Sequence, residues 1–409
     1  MAKKFDIPII YASPFISKMR SSFATDDPRR QDLSPRIIGG SSLRFKLPRF
    51  FGFCYGVQNA IEIAYKAIEK SGGSSVYLIS EIIHNHRVNS ELAALGVKFL
   101  QDTSGKQLVD YKDLRPSDTV IVPAFGAPIK VLKEIEARGI DIKTFDGTCP
   151  FVEKVWRRAV ELGGRGYTIL IHGKFNHEET RATFSRAAQS APTLVILNLS
   201  EAEILADFIL GKISLAKVTE KFNGKHSDNF DFQRDLNKVG VVNQTTMLAS
   251  ETAEIGEFLE GAYRSRFGSN NIREHFADFR DTLCYATYEN QEAARALIES
   301  GGDLALVIGG YNSSNTSHLV EMCEVKYPTY YIQDDSEILS QERIRHYKFR
   351  DSKLVYSDGW LPKNLSKPLE ILVTAGASCP DALIERVIEK IGSFFNFSAE
   401  EIFSSRIYN

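Results

Sequence analysis

Three cysteines in similar surroundings divide this chain into comparable parts. Each precedes an apolar run with helical spacing, and each is followed 28 to 30 residues later by a polar cluster at the end of a strand-like run. The cysteines are Cys54, Cys149 and Cys284, and the clusters begin at His84, His177 and Ser313. We interpret the pattern as a threefold internal repeat in which each part contributes one thiolate and one polar cluster to a shared centre.

The composition argues against several classes of protein. The 50 basic and 52 acidic residues nearly balance, so nothing favours a nucleic acid or a membrane surface as a partner. No apolar run approaches the roughly 20 residues of a membrane span. The first 25 residues show no clear secretory signal, although their basic residues and serines leave a transit peptide open. Five cysteines in such a chain indicate reduced thiols used for chemistry or metal binding.

Strand-like and helical segments alternate along most of the chain. This alternation predicts an α/β fold with mostly parallel sheets and helices on their faces. Residues 1–44 contain prolines and glycines that break any period, so we predict an irregular N-terminal extension. Three α/β units would follow at 45–145, 146–280 and 281–409, the last including the C-terminal tail. Since ligands of such sheets bind beyond the carboxyl ends of strands, we expect the polar clusters to lie there.

Two local predictions concern the second α/β unit. Residues 140–145 are predicted to form a strand that leads to Cys149, and Pro150 suits the first turn of a helix. Residues 221–231 are polar and rich in Asn, Gly and Asp, so we predict an exposed insertion.

Three cysteines this far apart match no short ferredoxin motif. If they converge, a cubane cluster held by three thiolates keeps one iron without a protein ligand, and that iron can bind a substrate oxygen and pass electrons. The threefold register weighs against three unrelated buried cysteines, and zinc usually shows a close Cys or His pair. We expect Cys323 to lie in the core and Cys379 to line the site without binding metal.

The polar clusters supply hydrogen-bond donors that suit a phosphate or diphosphate. For the histidines the alternative is an ordinary hydrogen bond, and for the serines and Asn315 it is a helix cap. We expect His86, His172 and His318 to have ordinary roles, with His172 near enough to support the site. The donors are His84, His177, Ser313, Ser314, Asn315 and Ser378.

Glu179 is the best candidate for a proton donor, because a carboxyl group enclosed beside an anion favours its protonated form. Glu178 ranks second, since it would face elsewhere on a helix. Thr245 or Thr246 could relay a proton or hold a substrate hydroxyl, with a turn or capping role as the alternative.

The motifs in this order resemble the 4-hydroxy-3-methylbut-2-enyl diphosphate reductase family, which catalyses the last step of the non-mevalonate isoprenoid pathway. The resemblance extends from Phe45 to about Gly392. The motifs are Phe53–Val57, Ile83–Asn85, Asp146–Pro150, His177–Glu179, Gln244–Thr246, Cys284–Thr287, Asn312–Asn315 and Thr374–Ser378.

The resemblance implies a trefoil of three pseudo-threefold-related α/β units around one [4Fe–4S] cluster per chain. It assigns proton delivery to Glu179 and the substrate hydroxyl to Thr245, with Thr246 beside it. The cluster ligands would be Cys54, Cys149 and Cys284. The diphosphate would be bound by His84, His177, Ser313, Ser314, Asn315 and Ser378.

One position departs from the family pattern. Many members carry a further diphosphate histidine where this chain has Phe125, so one phosphate contact is lost or is replaced by Lys174 or by backbone groups. The motif around Phe125, the residues 176–179 and the insertion near Lys221 resemble the plant and cyanobacterial branch. The expected location is the cytoplasm for a bacterial chain and the plastid stroma for one from a photosynthetic eukaryote.

By this resemblance the chain is an iron–sulfur oxidoreductase that removes the hydroxyl group of 4-hydroxy-3-methylbut-2-enyl diphosphate reductively, giving isopentenyl and dimethylallyl diphosphates. The sequence has no nicotinamide or flavin fingerprint, so a separate ferredoxin- or flavodoxin-type protein would donate electrons to a monomer or homodimer. Two alternatives remain. One is another three-cysteine cluster enzyme such as quinolinate synthase, and the other is a non-catalytic iron–sulfur electron-transfer protein.

Overall fold

A computed structural model describes residues 5–26, 32–228, 230–277, 282–362, 367–398 and 401–402. The chain forms two compact units. Unit A comprises Met1–Gln58, Ile83–Glu91 and Tyr285–Asn409, and unit B comprises Asn59–Ile82 and Leu92–Cys284. The division into three α/β units stays a prediction, and its boundary at residue 281 lies outside the described residues.

Strands and helices alternate through the described residues, as predicted. The strands are β1 (Arg36–Gly39), β2 (Leu43–Leu47), β3 (Val76–Leu78), β4 (Lys98–Phe99), β5 (Thr119–Ile121), β6 (Thr168–His172), β7 (Thr193–Ile196), β8 (Val239–Asn243), β9 (Leu304–Ile308), β10 (Thr329–Ile332), β11 (Arg343–Lys348), β12 (Lys353–Asp358) and β13 (Leu369–Ala375). The helices are α1 (Pro14–Asp26), α2 (Tyr55–Lys70), α3 (His86–Ala94), α4 (Ile129–Glu136), α5 (Pro150–Gly164), α6 (Glu178–Ala187), α7 (Leu199–Ile209), α8 (Leu215–Lys221), α9 (Phe232–Asp235), α10 (Ala249–Phe267), α11 (Ile272–His275), α12 (Tyr285–Glu299), α13 (Ser314–Glu324) and α14 (Asp381–Ser393).

Unit A is built on a sheet with the strand order β1-β2-β13-β9-β10. Its neighbours are parallel except for β1, which pairs antiparallel with β2. The antiparallel strands β11 and β12 form a separate ribbon. The inward residues of β9 and β13 are almost wholly apolar, as expected for parallel strands covered on both faces.

The N-terminal residues are part of unit A's core, so the prediction of an irregular extension is wrong for the described part of residues 1–44. Ile16, Met19 and Phe23 of α1 pack in one hydrophobic cluster with residues of β2, β13 and α14. Burying each such side chain stabilises the fold by about 1.5–3 kcal/mol. The prolines and glycines interrupt any periodic pattern in this segment. The apolar residues that it packs against lie far away in the sequence.

Unit B contains two parallel three-stranded sheets among its described residues, with the orders β4-β3-β5 and β7-β6-β8. In the second sheet the register pairs His172 with Asn243, so β6 and β8 end at the same edge. Together with unit A's sheet, this arrangement confirms the predicted α/β class with mostly parallel strands.

One local prediction in unit B is wrong, and a second is only partly right. Residues 140–145 form no strand in the structure, because the carboxylate of Asp141 accepts hydrogen bonds from the Lys143 backbone N–H and the Thr144 hydroxyl and turns the chain. The segment 221–231 is partly buried, since Phe222 lies in a hydrophobic cluster and Lys225 forms an ion pair with Glu201 at 2.6 Å. The polar composition of the segment gave no indication that Phe222 is buried.

The carboxyl ends of the parallel strands carry the predicted polar clusters. The strands β6, β8, β9 and β13 lead into the residues around His177, Thr245, Ser313 and Ser378 respectively. No helix among the described residues is both long and apolar enough to cross a membrane.

Candidate functional site

All three predicted cysteines stand immediately before a helix. Cys54 precedes α2, Cys149 is the N-terminal capping residue of α5, and Cys284 precedes α12. Pro150 occupies the first turn of α5, as predicted. None of the three cysteines forms a disulfide bond. A helix N-terminus stabilises a nearby thiolate, which is the form of cysteine that binds metal.

Backbone hydrogen bonds hold each cysteine in place. The Cys54 N–H donates to the Ala377 carbonyl at 3.1 Å, the Cys149 N–H to Ala124 at 2.9 Å, and the Cys284 N–H to Thr245 at 3.3 Å. Burial raises the pKa of the Cys54 thiol, while hydrogen bonds from the N–H groups of Val57 and Gly56 act in the opposite direction. These N–H groups therefore favour the thiolate of Cys54.

In unit A the loops after β9 and β13 pack against the backbone of His84. The Ser378 hydroxyl donates to the His84 carbonyl at 3.0 Å. Gly310 approaches the same carbonyl so closely that a Cβ atom there would overlap it. His84 and Ser378 are both buried, and the structure thus brings two predicted anion-binding residues together.

Asn315 connects the same two loops. Its Oδ1 accepts a hydrogen bond from the Ala377 N–H at 2.9 Å. Its side chain is buried, with 3% of the residue exposed, and its Nδ2 has no partner within the described ranges. A buried donor without a partner costs about 1–3 kcal/mol, so this amide is suited to receive a ligand oxygen.

Ser313 and Ser314 form the start of α13. Ser313 is the capping residue, and its hydroxyl accepts from the Thr316 N–H at 3.3 Å. The capping role that the sequence left as an alternative is therefore present. A helix N-terminus also favours anions through its aligned N–H groups, so the cap and an anion site can coincide.

In unit B, Glu179 and Thr245 form a direct pair. The Thr245 N–H donates to Oε1 of Glu179 at 2.6 Å, and its hydroxyl lies 3.0 Å from Oε2. Glu179 is 1% exposed and Thr245 is 4% exposed. The structure therefore brings together the two residues predicted to handle a proton and a substrate hydroxyl.

His177 is the capping residue of α6, which carries Glu179 in its first turn. The Nδ1 atom of His177 accepts a hydrogen bond from the Glu179 N–H at 3.2 Å. In the neutral ring this places the proton on Nε2, which makes that nitrogen the donor. Glu178 interacts electrostatically with Arg181.

Two aromatic contacts organise the loop after β5. The Phe125 ring meets the His177 ring edge to face, with centroids 5.8 Å apart. Arg186 lies 3.4 Å above the ring of Trp156 and donates to the Ala127 carbonyl at 2.7 Å. Burial lowers the pKa of Arg186 to about 10. The edge-to-face contact indicates that Phe125 orients the His177 ring. The Phe125 side chain supplies no polar contact of its own.

Among the described residues, no group of three or more His, Cys, Asp or Glu side chains is arranged to hold a single metal ion. The donor set fits an iron–sulfur cluster, which takes one thiolate per iron, since each candidate cysteine lies at the start of a helix and forms no disulfide bond. The convergence of the three cysteines stays a prediction.

The chain matches the model of the LytB protein family over residues 46–392. The chain belongs to the LytB family. Its relatives include 4-hydroxy-3-methylbut-2-enyl diphosphate reductases from cyanobacteria. That of Thermosynechococcus vestitus is 40% identical over 347 residues, covering 85% of this chain and 83% of the relative. That of a Picosynechococcus species is 41% identical over 346 residues, covering 84% and 83%.

Two solved structures share the fold of this LytB chain. One is (E)-4-hydroxy-3-methyl-but-2-enyl diphosphate reductase, described as the terminal enzyme of the non-mevalonate pathway, with 23% identity, a TM-score of 0.50 and coverage of 87% of this chain and 100% of that one. The other is the E-1-hydroxy-2-methyl-but-2-enyl-4-diphosphate reductase of Plasmodium falciparum, with 22% identity, a TM-score of 0.62 and coverage of 88% and 91%. At these identities the likeness concerns the fold alone.

One residue within a LytB motif has a role that its sequence pattern alone did not predict. Gln244 is 1% exposed, and its Oε1 accepts from the Lys174 N–H and the Thr180 hydroxyl, both at 3.1 Å. Its Nε2 donates to the Thr246 hydroxyl at 2.7 Å. Gln244 thus connects the loop before His177, helix α6 and the threonine pair. The position of Gln244 directly before two candidate threonines is the sequence signal that could have indicated this role.

Two cysteines and three histidines to which the sequence assigns no direct part in the chemistry were also located in this LytB chain. Cys323 lies in the core, as predicted. Cys379 is fully buried in unit A's core, whereas the sequence suggests that it lines the site. His86 is exposed, and the buried His172 lies 3.1 Å from the Thr252 hydroxyl. His318 binds Glu321 at 2.8 Å and lies 3.5 Å from the Ser314 hydroxyl, a contact that the sequence analysis missed.

Proposed function

We propose that this LytB chain reduces 4-hydroxy-3-methylbut-2-enyl diphosphate to isopentenyl and dimethylallyl diphosphates. The observation that carries the proposal is the buried contact between Glu179 and Thr245. A carboxyl group paired with a hydroxyl is suited to move a proton to a leaving hydroxyl group. Relatives that this chain matches over most of its length carry the same activity in their names.

The proposed ligands of the substrate diphosphate are polar groups at strand ends and helix N-termini. In unit A, the donors include the Asn315 amide and the serine hydroxyls at the start of α13. In unit B, His177 contributes its Nε2 proton. Helix N-termini add partial positive charge where these side chains lie. The residues are His84, His177, Ser313, Ser314, Asn315 and Ser378.

Cys54, Cys149 and Cys284 are the residues that would hold one [4Fe–4S] cluster. When bound, such a cluster supplies single electrons and an iron that has no protein ligand. The protein's contribution is to keep the three thiolates available, which the helix N-termini favour. For Cys54 the N–H groups of Gly56 and Val57 add direct hydrogen bonds.

The reaction consumes two electrons and two protons. The bond between carbon and the terminal hydroxyl oxygen breaks, and one proton leaves with that oxygen as water. The second proton forms a new C–H bond at either end of the allyl system, which accounts for two products. Glu179 supplies the proton to the leaving hydroxyl group of the substrate. Thr245, whose own hydroxyl is bonded to the Glu179 carboxylate, holds the substrate hydroxyl beside that carboxylate. Thr246 is kept beside them by Gln244.

The electrons come from a separate protein of the ferredoxin or flavodoxin type. This donor type is proposed by analogy with the family that the sequence motifs resemble. We place the reaction in the cytoplasm of a bacterium or in the plastid stroma of a photosynthetic eukaryote.

Anaerobic reconstitution tests the proposal directly. The full chain is loaded with iron and sulfide, reduced chemically, and given the substrate, and the two products are quantified. The absorption spectrum of the cluster is recorded before and after substrate addition. A loaded protein that neither changes its spectrum with the substrate nor forms product would instead be a carrier of electrons.

Removing either histidine is expected to weaken substrate binding. A charge-assisted hydrogen bond contributes about 1.5–3 kcal/mol, so His84→Ala and His177→Ala should each raise the dissociation constant by roughly tenfold or more. The measurement is a titration of the cluster spectrum with substrate. The matched control is His86→Ala, since His86 is exposed and bonded only weakly to Ser90 at 3.4 Å. Unchanged affinity in both variants would show that the anion site has been misplaced.

Restoring a polar ring at position 125 is expected to be tolerated. Phe125→His keeps a flat ring against His177 and adds a donor next to it, so the dissociation constant for substrate should stay unchanged or fall. Phe125→Ala removes the edge-to-face contact and should weaken binding, because His177 loses its orientation. The same spectral titration compares the two variants, and stronger binding by Phe125→Ala would contradict the orienting role.

A further inference from the structure

Arg20 lies in α1, outside the residues that match the LytB family, and contacts the loop that carries Cys54. Its Nη1 donates to Oδ2 of Asp381 at 2.6 Å, and its Nη2 donates to Oδ1 at 2.7 Å. Nη2 also donates to the Phe51 carbonyl at 2.7 Å. This set of bonds uses the planar fork of arginine, which a lysine cannot reproduce.

The loop is packed tightly on this ion pair. The Arg20 guanidinium lies 5.1 Å from the centre of the Phe51 ring. Gly52 has a φ of +70°, and a Cβ atom there would lie 2.9 Å from Nη2 of Arg20 and 3.0 Å from Oδ1 of Asp381. A glycine is therefore required both by the backbone conformation and by the closeness of the ion pair.

The opposite side of the loop is held by the residues that follow β13. The Gly52 N–H donates to the Ala375 carbonyl at 3.3 Å, and the Cys54 N–H donates to the Ala377 carbonyl at 3.1 Å. Asp381 is the first residue of α14, and 12% of its side chain is exposed. Arg20 thus supplies the opposite charge that a buried carboxylate requires.

We propose that Arg20 is a positioning residue that fixes the loop from Phe51 to Cys54 and so the direction of the Cys54 thiolate. The role in cluster binding rests on the proposed function. The positioning of the loop by Arg20 does not rest on the proposed function, because it can be measured in the metal-free protein. A merely structural ion pair between α1 and α14 would alter stability without a selective effect at Cys54.

Alkylation of the metal-free full chain under anaerobic conditions separates these possibilities. Iodoacetamide is the probe, and the rates at Cys54 and Cys149 are followed by peptide mass spectrometry. Arg20→Met should raise the rate at Cys54 by about fivefold or more, because a loosened loop exposes the thiol, while the rate at Cys149 changes by less than about twofold. Cys149 is in unit B and is the internal control.

Two further variants complete the experiment. Arg44→Met removes an ion pair with Glu370 in the same unit, at 3.6 Å, without touching the Cys54 loop, and should leave both rates unchanged. Arg20→Lys keeps the charge and loses the fork, so it should raise the Cys54 rate selectively by a smaller factor. It also decides the result if Arg20→Met unfolds. Equal acceleration at both cysteines in Arg20→Lys, or none, would overturn the proposal.

The reconstituted protein supplies the second readout. Arg20→Met should retain less iron and sulfide than the parent chain, and its electron paramagnetic resonance spectrum should differ. Selective alkylation with an unchanged cluster would leave the loop control standing and refute a role of Arg20 in cluster binding. An unchanged alkylation rate in a folded Arg20→Met variant would refute the positioning role, whatever the cluster does.

Discussion

Glu179→Gln is expected to retain the cluster and bind the substrate, yet to turn over about 10²–10⁴-fold more slowly. The amide preserves the shape of the carboxyl group and can still accept the hydrogen bond from the Thr245 N–H. What it lacks is a transferable proton. Turnover, iron and sulfide content, and substrate affinity are measured on the same anaerobic preparation, so that loss of chemistry is distinguished from loss of the site.

The neighbouring carboxylate provides the control for this variant. Glu178→Gln should have a far milder effect, because the carboxylate that is hydrogen-bonded to Thr245 is that of Glu179. Two results would count against Glu179 as the acid. One is near-normal turnover of Glu179→Gln. The other is a variant that fails because its cluster is missing, which would make the residue structural.

Cys54→Ser, Cys149→Ser and Cys284→Ser are each expected to lose the cluster and, with it, activity. A serine hydroxyl is a poor substitute for the thiolates that hold iron–sulfur clusters. Iron and sulfide analysis after anaerobic purification measures the loss independently of turnover. A full complement of iron and sulfide in any one variant would remove that cysteine from the ligand set.

The other two cysteines are the matched controls. Cys323→Ser and Cys379→Ser should keep the cluster, because both residues are fully buried in hydrophobic clusters of unit A. Each substitution places a hydroxyl group in an apolar environment and should lower the free energy of unfolding. Thermal unfolding records that change, which is expected without loss of iron from the folded protein.

Local sequence patterns were sufficient to predict the helices and strands that carry the site residues. Apolar residues at helical spacing after Cys54 and Cys149 predicted α2 and α5, and Pro150 marked the start of the second. The strand-like runs before the polar clusters at His177 and Ser313 predicted β6 and β9. These signals work because hydrogen bonding and side-chain periodicity within an element depend on neighbouring residues. The α/β class and the polar clusters at the strand ends follow from the same patterns.

Contacts between distant residues decided what the sequence left open. The N-terminal segment belongs to the core only because α1 packs on α14 and Arg20 reaches Asp381, 361 residues away. The segment 221–231 is anchored because Phe222 finds an apolar cluster built from other elements. Composition within a segment cannot reveal partners of this kind, since burial depends on the surface that another part of the chain presents.

The sequence by itself determined which residues could do the chemistry, and the tertiary structure decided which of them touch. Glu179 and Thr245 were singled out separately, and folding places their side chains 3.0 Å apart across 66 residues of chain. Gln244 and Arg20 received no role from the sequence, because their function lies in the groups they connect. A residue's chemistry is intrinsic to its side chain, whereas positioning is a property of the contacts that folding creates.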